Sequence, residues 1–147
     1  MSRKWMGIIG VAALLVGGGS GIAPLMSMIR HRANVTGASP ATMLYSARTW
    51  NDVIFREELL RQEQLQRDLQ LRFAITRGSL SDGTAARGAD YVRRVDDAML
   101  HEVVARMPTV PAICFVCGNN GFVSAVADAL VAIGIDPLDV RTERYGE

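Results

Sequence analysis

The sequence of 147 residues contains few cysteines and carries almost no net charge. Two cysteines are too few for a disulfide framework, which favours a reducing compartment. A formal net charge of +1 argues against nucleic acid as a main partner, because nucleic-acid-binding faces usually carry a basic excess. No apolar run reaches the roughly 20 residues that a membrane-spanning helix needs, so a membrane partner is not expected. The chain is 49% hydrophobic and therefore predicts one compact domain with a real core. The low cysteine content favours a cytoplasmic location for it.

The amino terminus leaves a second localisation open. Arg3 and Lys4 precede the apolar run 6–16, in the order of a secretory signal peptide. The same run leads directly into a glycine turn, so cleavage there would remove the first strand, and a buried parallel strand has the same uninterrupted hydrophobicity. We expect residues 1–10 to be an extension leading into that strand and residues 11–147 to form one domain. Export or tethering through residues 1–16 is the alternative.

The most informative stretch is the glycine-rich turn at residues 17–21, between an apolar run and a helical pattern. Glycine lets the backbone turn sharply and leaves N–H groups uncovered, and the positive end of the following helix favours a phosphate. The turn does not match the G-x-G-x-x-G fingerprint or a nucleophile elbow, because Ile22 stands where the closing glycine should be. The turn is not a P-loop either, because the sequence contains no Gly-Lys-Ser/Thr motif. It predicts a nucleotide phosphate site or, alternatively, only a tight turn between strand and helix.

Strand and helix patterns alternate along the whole chain. Apolar or alternating segments predict five strands, at 11–16, 42–46, 69–76, 112–117 and from 140. Apolar residues three and four positions apart predict helices at 22–32, 53–67, from 96, and at 121–133. This alternation predicts an α/β fold, a doubly wound five-stranded parallel sheet with helices on both faces in three layers.

Two finer predictions concern the second helix and a later loop. Thr49 and Asp52 have the Ser/Thr-x-x-acid spacing of a helix start, and in the helix that follows, Ile54, Phe55 and Leu59 are expected to face the core. The stretch 78–90 is rich in glycine, serine and aspartate and is predicted to be a mobile surface loop.

Ligands of such sheets bind beyond the carboxyl ends of the strands, near the point where the strand order reverses. The glycine turn and the segments 46–48, 76–77 and 117–120 all fall at strand carboxyl ends, so we expect them to line one edge. Ser46 and Arg48 suit the 2′-phosphate of NADPH, because a guanidinium matches phosphate in charge and fork geometry. An exposed loop arginine is the alternative.

The two cysteines, Cys114 and Cys117, form a C-x-x-C pair. On a strand, residues three apart face opposite sides, so the two thiols do not readily share a metal or a disulfide. The histidines, His31 and His101, are interpreted as surface residues without a role, and no metal site is predicted. We expect Cys114 in the core and Cys117 in contact with a ligand, with a redox dithiol as the alternative.

With these residues in place, the chain resembles the NAD(P)-binding domain of the ferredoxin–NADP reductase-like flavoprotein family, and looks closest to its bacterial ferredoxin- or oxygenase-type reductases. The segments that carry the resemblance follow one another in order and spacing: 17–24, 45–48, 55–59, 76–77, 94–96, 117–118 with Phe122, and 143–145. The resemblance implies that a glycine cradle wraps the pyrophosphate of NADP(H) or NAD(H). It also implies that the carboxyl ends of the second and third strands hold the adenosine side. The cofactor-binding residues it implies are Gly18, Gly19, Ser20, Gly21, Pro24, Ser46, Arg48, Thr76, Arg77, Cys117, Gly118 and Asn119.

The same resemblance implies three catalytic positions. Cys117 would lie near the nicotinamide, Glu143 would place a carboxylate near the hydride-transfer centre, and Tyr145 would put its ring over the flavin. Two details depart from the family pattern: Tyr145 is followed by two more residues, and Asn119 stands where proline or serine is usual.

Family members also carry a flavin-binding barrel that holds FAD or FMN. Its Arg-x-Tyr-Ser/Thr motif has no match here, since Met43 stands where Tyr45 would require an arginine. We therefore expect the flavin on a missing or separate domain. The expected function is the pyridine-nucleotide module of a flavin-dependent reductase, not self-sufficient, which presents NAD(P)H, with NADPH favoured, for hydride transfer to flavin. Electrons would pass on to a ferredoxin-like or haem partner. The alternative is a truncated, non-catalytic NADP(H)-binding fragment.

Overall fold

The computed structural model describes residues 11–78 and 87–146. Residues 1–10, for which an N-terminal extension is predicted, and residues 79–86 of the predicted loop lie outside the described residues. Glu147 lies outside them as well. Within the described part, no helix has the length and apolar character needed to cross a bilayer.

The described chain contains a sheet of five strands in which every neighbouring pair is parallel. The strands are β1 Ala12–Gly18, β2 Ala41–Ala47, β3 Leu69–Ile75, β4 Pro111–Gly118 and β5 Val140–Arg144. Their order is β3-β2-β1-β4-β5, so the strand order reverses between β1 and β4. The predicted five-stranded parallel sheet is confirmed.

Helices cover both faces of this sheet and make it the middle of three layers. They are α1 Ile22–Arg32, α2 Arg56–Leu65, α3 Asp97–Ala105 and α4 Asn120–Ala132. Side chains of α1 and α2 form one buried cluster with one face of the strands, and side chains of α3 and α4 form a second cluster with the other face. Leu15 of β1 belongs to the first cluster, whereas its neighbours Leu14 and Val16 belong to the second. Burial on both faces explains why β1 is an uninterrupted apolar run.

The start of α2 differs from the sequence prediction. Thr49 and Asp52 close a short 3₁₀ turn instead of an α-helix, with the Asp52 N–H donating to the Thr49 carbonyl at 3.1 Å. The backbone then passes through the left-handed region at Phe55, with φ of 58°, before α2 begins at Arg56. Ile54 and Phe55 are exposed by 41% and 37%, so the prediction that they face the core was wrong.

The carboxyl-terminal part of the predicted loop packs along the outer edge of β3. The side chain of Asp90 is fully buried and accepts a hydrogen bond from the Phe73 N–H at 3.0 Å. The Arg87 guanidinium lies 2.7 Å from the Asp90 carboxylate and donates to the Leu71 carbonyl at 3.0 Å. Residues 87–90 therefore cover the outer edge of β3, although they were predicted to belong to a mobile surface loop.

Candidate functional site

A crevice of about 320 Å³ opens at the carboxyl edge of the sheet, where the strand order reverses between β1 and β4. It brings together residues from all four segments that were expected at this edge. Its lining consists of Gly18, Gly19, Ser20, Ser46, Ala47, Arg48, Thr76, Asn119, Phe122 and Tyr145.

The glycine turn forms one wall of the crevice, and two of its glycines contribute in different ways. Gly19 has φ of 55°, and a Cβ placed on it would meet no atom within 4 Å, so the backbone there faces open space. Gly21 is buried, and a Cβ on it would lie 2.4 Å from the Cys117 carbonyl oxygen. Gly21 therefore lets the start of α1 approach the end of β4, while Gly19 leaves room for a ligand.

Phe122 forms another wall by packing over two glycines. A Cβ on Gly118 would lie 2.7 Å from its ring, and one on Gly18 would lie 3.0 Å from it. The position of Phe122 is fixed by Asn119, whose side-chain oxygen accepts the Phe122 N–H at 2.8 Å. Asn119 is thus the N-cap of α4, which gives a local reason for an amide at this position.

Ser46 and Arg48 lie at the end of β2, which flanks β1 on the side away from β4. Ser46 is half-buried and Arg48 is exposed. The backbones of β2 and β3 stay paired beyond the strands, with the Thr76 N–H donating to the Ala47 carbonyl at 2.9 Å. This pairing brings Thr76 into the lining, whereas the exposed Arg77 lies outside it in the described structure.

Two of the three predicted catalytic residues lie in a separate groove of about 350 Å³ on the α1 face of β4 and β5. Cys117 and Glu143 are partners across these two strands and both line the groove. Tyr145 lies in the crevice instead, tied to β4 by its N–H, which donates to the Gly118 carbonyl at 2.9 Å. The end of β5 therefore contributes to both concave surfaces.

Cys117 is 3% exposed, and its environment keeps the thiol protonated. Burial, together with the nearby Glu143 carboxylate, raises the pKa of Cys117 to about 11. Burial raises the pKa of Cys114 to about 12. Both are free cysteines in the buried clusters of opposite sheet faces, so they form no disulfide and Cys117 can act at neutral pH only as a neutral thiol.

The remaining predicted cofactor residues do not line the crevice. Gly21 and Gly118 are buried, and Pro24 is half-buried in the first turn of α1. Proline fits there because the first helical N–H groups have no partner within the helix.

Two aromatic residues at the site received no role from the sequence analysis. Phe122 appears above, and Tyr45 of β2 is completely buried beneath the glycine turn. The Tyr45 hydroxyl donates to the Gly19 carbonyl at 2.8 Å and accepts the Ile54 N–H at 3.4 Å. The available signal was the strand order, which places Tyr45 beside Gly17 in the register of β1 and β2.

A parallel sheet with a glycine cradle at the point of strand reversal defines a dinucleotide-binding domain. Residues 15–128 match the family model described as oxidoreductase NAD-binding domain. The chain belongs to this family and is an NAD(P)-binding domain with the ferredoxin–NADP reductase-like fold.

Individual relatives agree with this assignment. The reductase component of propane 2-monooxygenase from Mycolicibacterium smegmatis is 31% identical over 112 residues, which cover 75% of this chain and 30% of that protein. Ferredoxin–NADP reductase B from Sorangium cellulosum is 28% identical over 134 residues, covering 90% of this chain and 54% of that protein. The structure of flavohemoglobin from Malassezia yamatoensis, with bound FAD and haem, aligns with a TM-score of 0.78 at 19% identity, covering 98% of this chain and 34% of that one.

Proposed function

We propose that this chain is the pyridine-nucleotide module of a flavin-dependent reductase and that it binds NADPH in preference to NADH. The observation that carries the proposal is the crevice itself, in which a side-chain-free cradle at Gly19 faces Ser46 and Arg48 across one opening. A phosphate fits the cradle because exposed backbone and the start of α1 lie there. A second phosphate on the adenosine ribose fits the guanidinium of Arg48.

Within this proposal, each part of the crevice has a task. The turn at Gly18–Gly21 holds the pyrophosphate, and Ser46, Arg48 and Thr76 hold the adenosine side. Arg48 is exposed and supplies the basic side chain of the lining, so it is the residue on which discrimination between NADP⁺ and NAD⁺ depends. Arg77 lies outside the lining and is proposed to attract the approaching ligand.

The nicotinamide end is proposed to lie toward β4 and β5. Cys117 would present a neutral thiol and Glu143 a carboxylate, and Tyr145 would offer an exposed ring at the mouth of the crevice. Burial and the Glu143 carboxylate raise the pKa of the Tyr145 hydroxyl, so the ring stays uncharged at neutral pH. When bound, the nicotinamide supplies a hydride to a flavin, and these residues orient the two rings.

The chain spans between about a third and about half of the length of the curated relatives described above. We therefore propose that the flavin is held by a further domain or chain, and that a ferredoxin-like or haem protein accepts the electrons. The names of the relatives support this, since they are a monooxygenase reductase component and a ferredoxin–NADP reductase. A cytoplasmic location and a domain covering residues 11–147 complete the proposal.

Calorimetric titration of the chain with NADP⁺ and with NAD⁺ tests the nucleotide assignment. Arg48→Ala is expected to weaken NADP⁺ binding by about tenfold or more, because a hydrogen bond to a charged group contributes roughly 1.5–3 kcal/mol. NAD⁺ binding should change by less than about twofold. Arg61→Ala, on the exposed side of α2, is the matched control and should bind both nucleotides like the wild type.

Equal loss of NADP⁺ and NAD⁺ binding in Arg48→Ala would contradict the role given to Arg48. Absence of binding by the wild-type chain would contradict the nucleotide assignment as a whole. A second candidate function is that of a fragment that binds NADP(H) without turnover. It is favoured by the placement of Cys117 and Glu143 outside the crevice. It predicts the same titration, but no acceleration of flavin reduction by NADPH.

A further inference from the structure

The hydroxyl of Tyr45 is a polar group in an otherwise apolar cluster. The residue is completely buried, and its ring lies 6.4 Å from the ring of Phe73, centroid to centroid. A buried hydroxyl is costly unless it is hydrogen-bonded. Here it is used twice, as donor to the Gly19 carbonyl at 2.8 Å and as acceptor of the Ile54 N–H at 3.4 Å.

The bond to Gly19 fixes the orientation of one peptide unit in the cradle. The described peptide bonds are all trans, and in a trans peptide unit the carbonyl and the N–H point in opposite directions. With the Gly19 carbonyl directed at the buried Tyr45, the N–H of the same unit, that of Ser20, points away from the core. Gly19 and Ser20 are both exposed and line the crevice.

Gly19 begins a single 3₁₀ turn, Gly19–Gly21, and as a glycine it adds no side-chain restraint to the orientation of this peptide. No atom lies within 4 Å of the Cβ position of Gly19. Its φ is 55°, and a glycine can leave this region for several other backbone conformations at little cost. Rotation of the Gly19–Ser20 peptide would turn the carbonyl oxygen toward a bound anion and the N–H away from it. The hydroxyl of Tyr45 is positioned to prevent that rotation.

We propose that Tyr45 is a positioning residue for the pyrophosphate: its hydroxyl holds the Gly19–Ser20 peptide so that the Ser20 N–H faces the phosphate. This inference rests on the proposed nucleotide-binding function. Through its second bond, to Ile54, the same hydroxyl links the cradle to the segment between β2 and α2.

Tyr45→Phe removes the hydroxyl and retains the ring, and Tyr91→Phe is the matched control. The Tyr91 hydroxyl donates to the Glu102 carboxylate at 2.8 Å, and Tyr91 does not line the crevice. NADP⁺ should bind Tyr45→Phe about three- to tenfold more weakly than the wild type, the value of one hydrogen bond. Adenosine 2′-monophosphate, which lacks the pyrophosphate, should bind within about twofold of the wild type. Tyr91→Phe should bind both ligands normally.

A measurement without nucleotide separates this inference from the proposed function. In nuclear magnetic resonance spectra of the ligand-free chain, the Gly19 carbonyl-carbon and Ser20 amide signals should shift in Tyr45→Phe and not in Tyr91→Phe. If the wild type binds no NADP⁺, the proposed function fails while these signals still report on the peptide. Unchanged signals together with unchanged NADP⁺ affinity would overturn the inference. Equal weakening of both ligands, with a lower melting temperature, would show that Tyr45 is only structural and would also overturn it.

Discussion

At the scale of single residues, the two cysteines give the molecule a defined response to alkaline pH. Cys114 is fully buried and Cys117 nearly so, and burial raises the pKa of both thiols, to about 12 and about 11. An unfolded cysteine has a pKa of about 8.5. Between that value and the folded values, the folded chain keeps protons that the unfolded chain loses, so stability falls as pH rises.

The prediction is that the free energy of unfolding falls between about pH 9 and pH 11, with a slope of up to about 1.4 kcal/mol per pH unit for each thiol. Urea unfolding of the wild type at pH 8 and at pH 10.5 measures the fall. The Cys114→Ala/Cys117→Ala double variant starts from lower stability but should lose less of it over the same interval. An equal loss in the two proteins would show that the thiols are not the groups that titrate.

The sequence predicts a residue of the crevice where its position at the end of a predicted strand is enough to place it. Ser46 and Thr76 end predicted strands and Arg48 follows one. The carboxyl ends of parallel strands meet at one edge, so the convergence of these residues follows from the fold class. The role of Tyr45 did not follow, because its hydrogen bond joins β2 to a turn 26 residues earlier. Strand order and register place Tyr45 beside Gly17, and the hydrogen bond to Gly19 is visible only in the folded structure.

At the scale of elements, the contact between the start of α1 and the end of β4 determines the shape of the crevice. Gly21 makes this contact possible, since a Cβ there would lie 2.4 Å from the Cys117 carbonyl oxygen and 2.7 Å from the Gly118 nitrogen. These are backbone atoms, so the overlap cannot be relieved by a rotamer change. A substitution must move α1 or β4.

Gly21→Ala is therefore expected to destabilise the fold by about 2 kcal/mol or more, in the range of overpacking within a core. Gly121→Ala is the matched control, because a Cβ there meets only the Asn119 side-chain oxygen, at 3.7 Å, and Gly121 lies inside α4. Alanine is better than glycine in a helix by roughly 1 kcal/mol, so the control should be neutral or stabilised. Thermal unfolding of both variants measures the difference, and similar melting temperatures would contradict the close approach at Gly21.

The helices show why some boundaries could be predicted and one could not. The prediction for α1 matches the structure at both ends, because Ile22, Leu25 and Ile29 follow the helical period and are all buried. The predicted start of α2 was wrong because the segment from Thr49 to Asp52 forms a 3₁₀ turn. The left-handed backbone at Phe55, which precedes α2, has no signature in the sequence. Phe55 is supported there by the Arg30 guanidinium, 5.1 Å from its ring centroid, which is a tertiary contact.

At the scale of the whole molecule, the two buried clusters explain the confirmed α/β fold. Both faces of β1 are covered, and its chain of apolar residues leads into the turn that lines the crevice. The two sheet edges differ: the β3 edge is covered by residues 87–91, whereas most side chains of β5 are exposed. Cys117 and Glu143 lie in the groove beside this exposed edge strand, on the side where the nicotinamide end is proposed.

The central claim is that the chain presents NADPH to a flavin held elsewhere. The direct test mixes the chain with a separately produced flavin-binding domain of a flavin-dependent reductase and follows flavin reduction by NADPH without oxygen. The nucleotide-binding domain of the same reductase, added in place of the chain, shows that the mixture is competent. We predict that the chain accelerates flavin reduction above the flavin-binding part alone and that Arg48→Ala does so less. No acceleration by a chain that binds NADP⁺, in a mixture where the control part is active, would contradict the claim and favour a binding-only fragment.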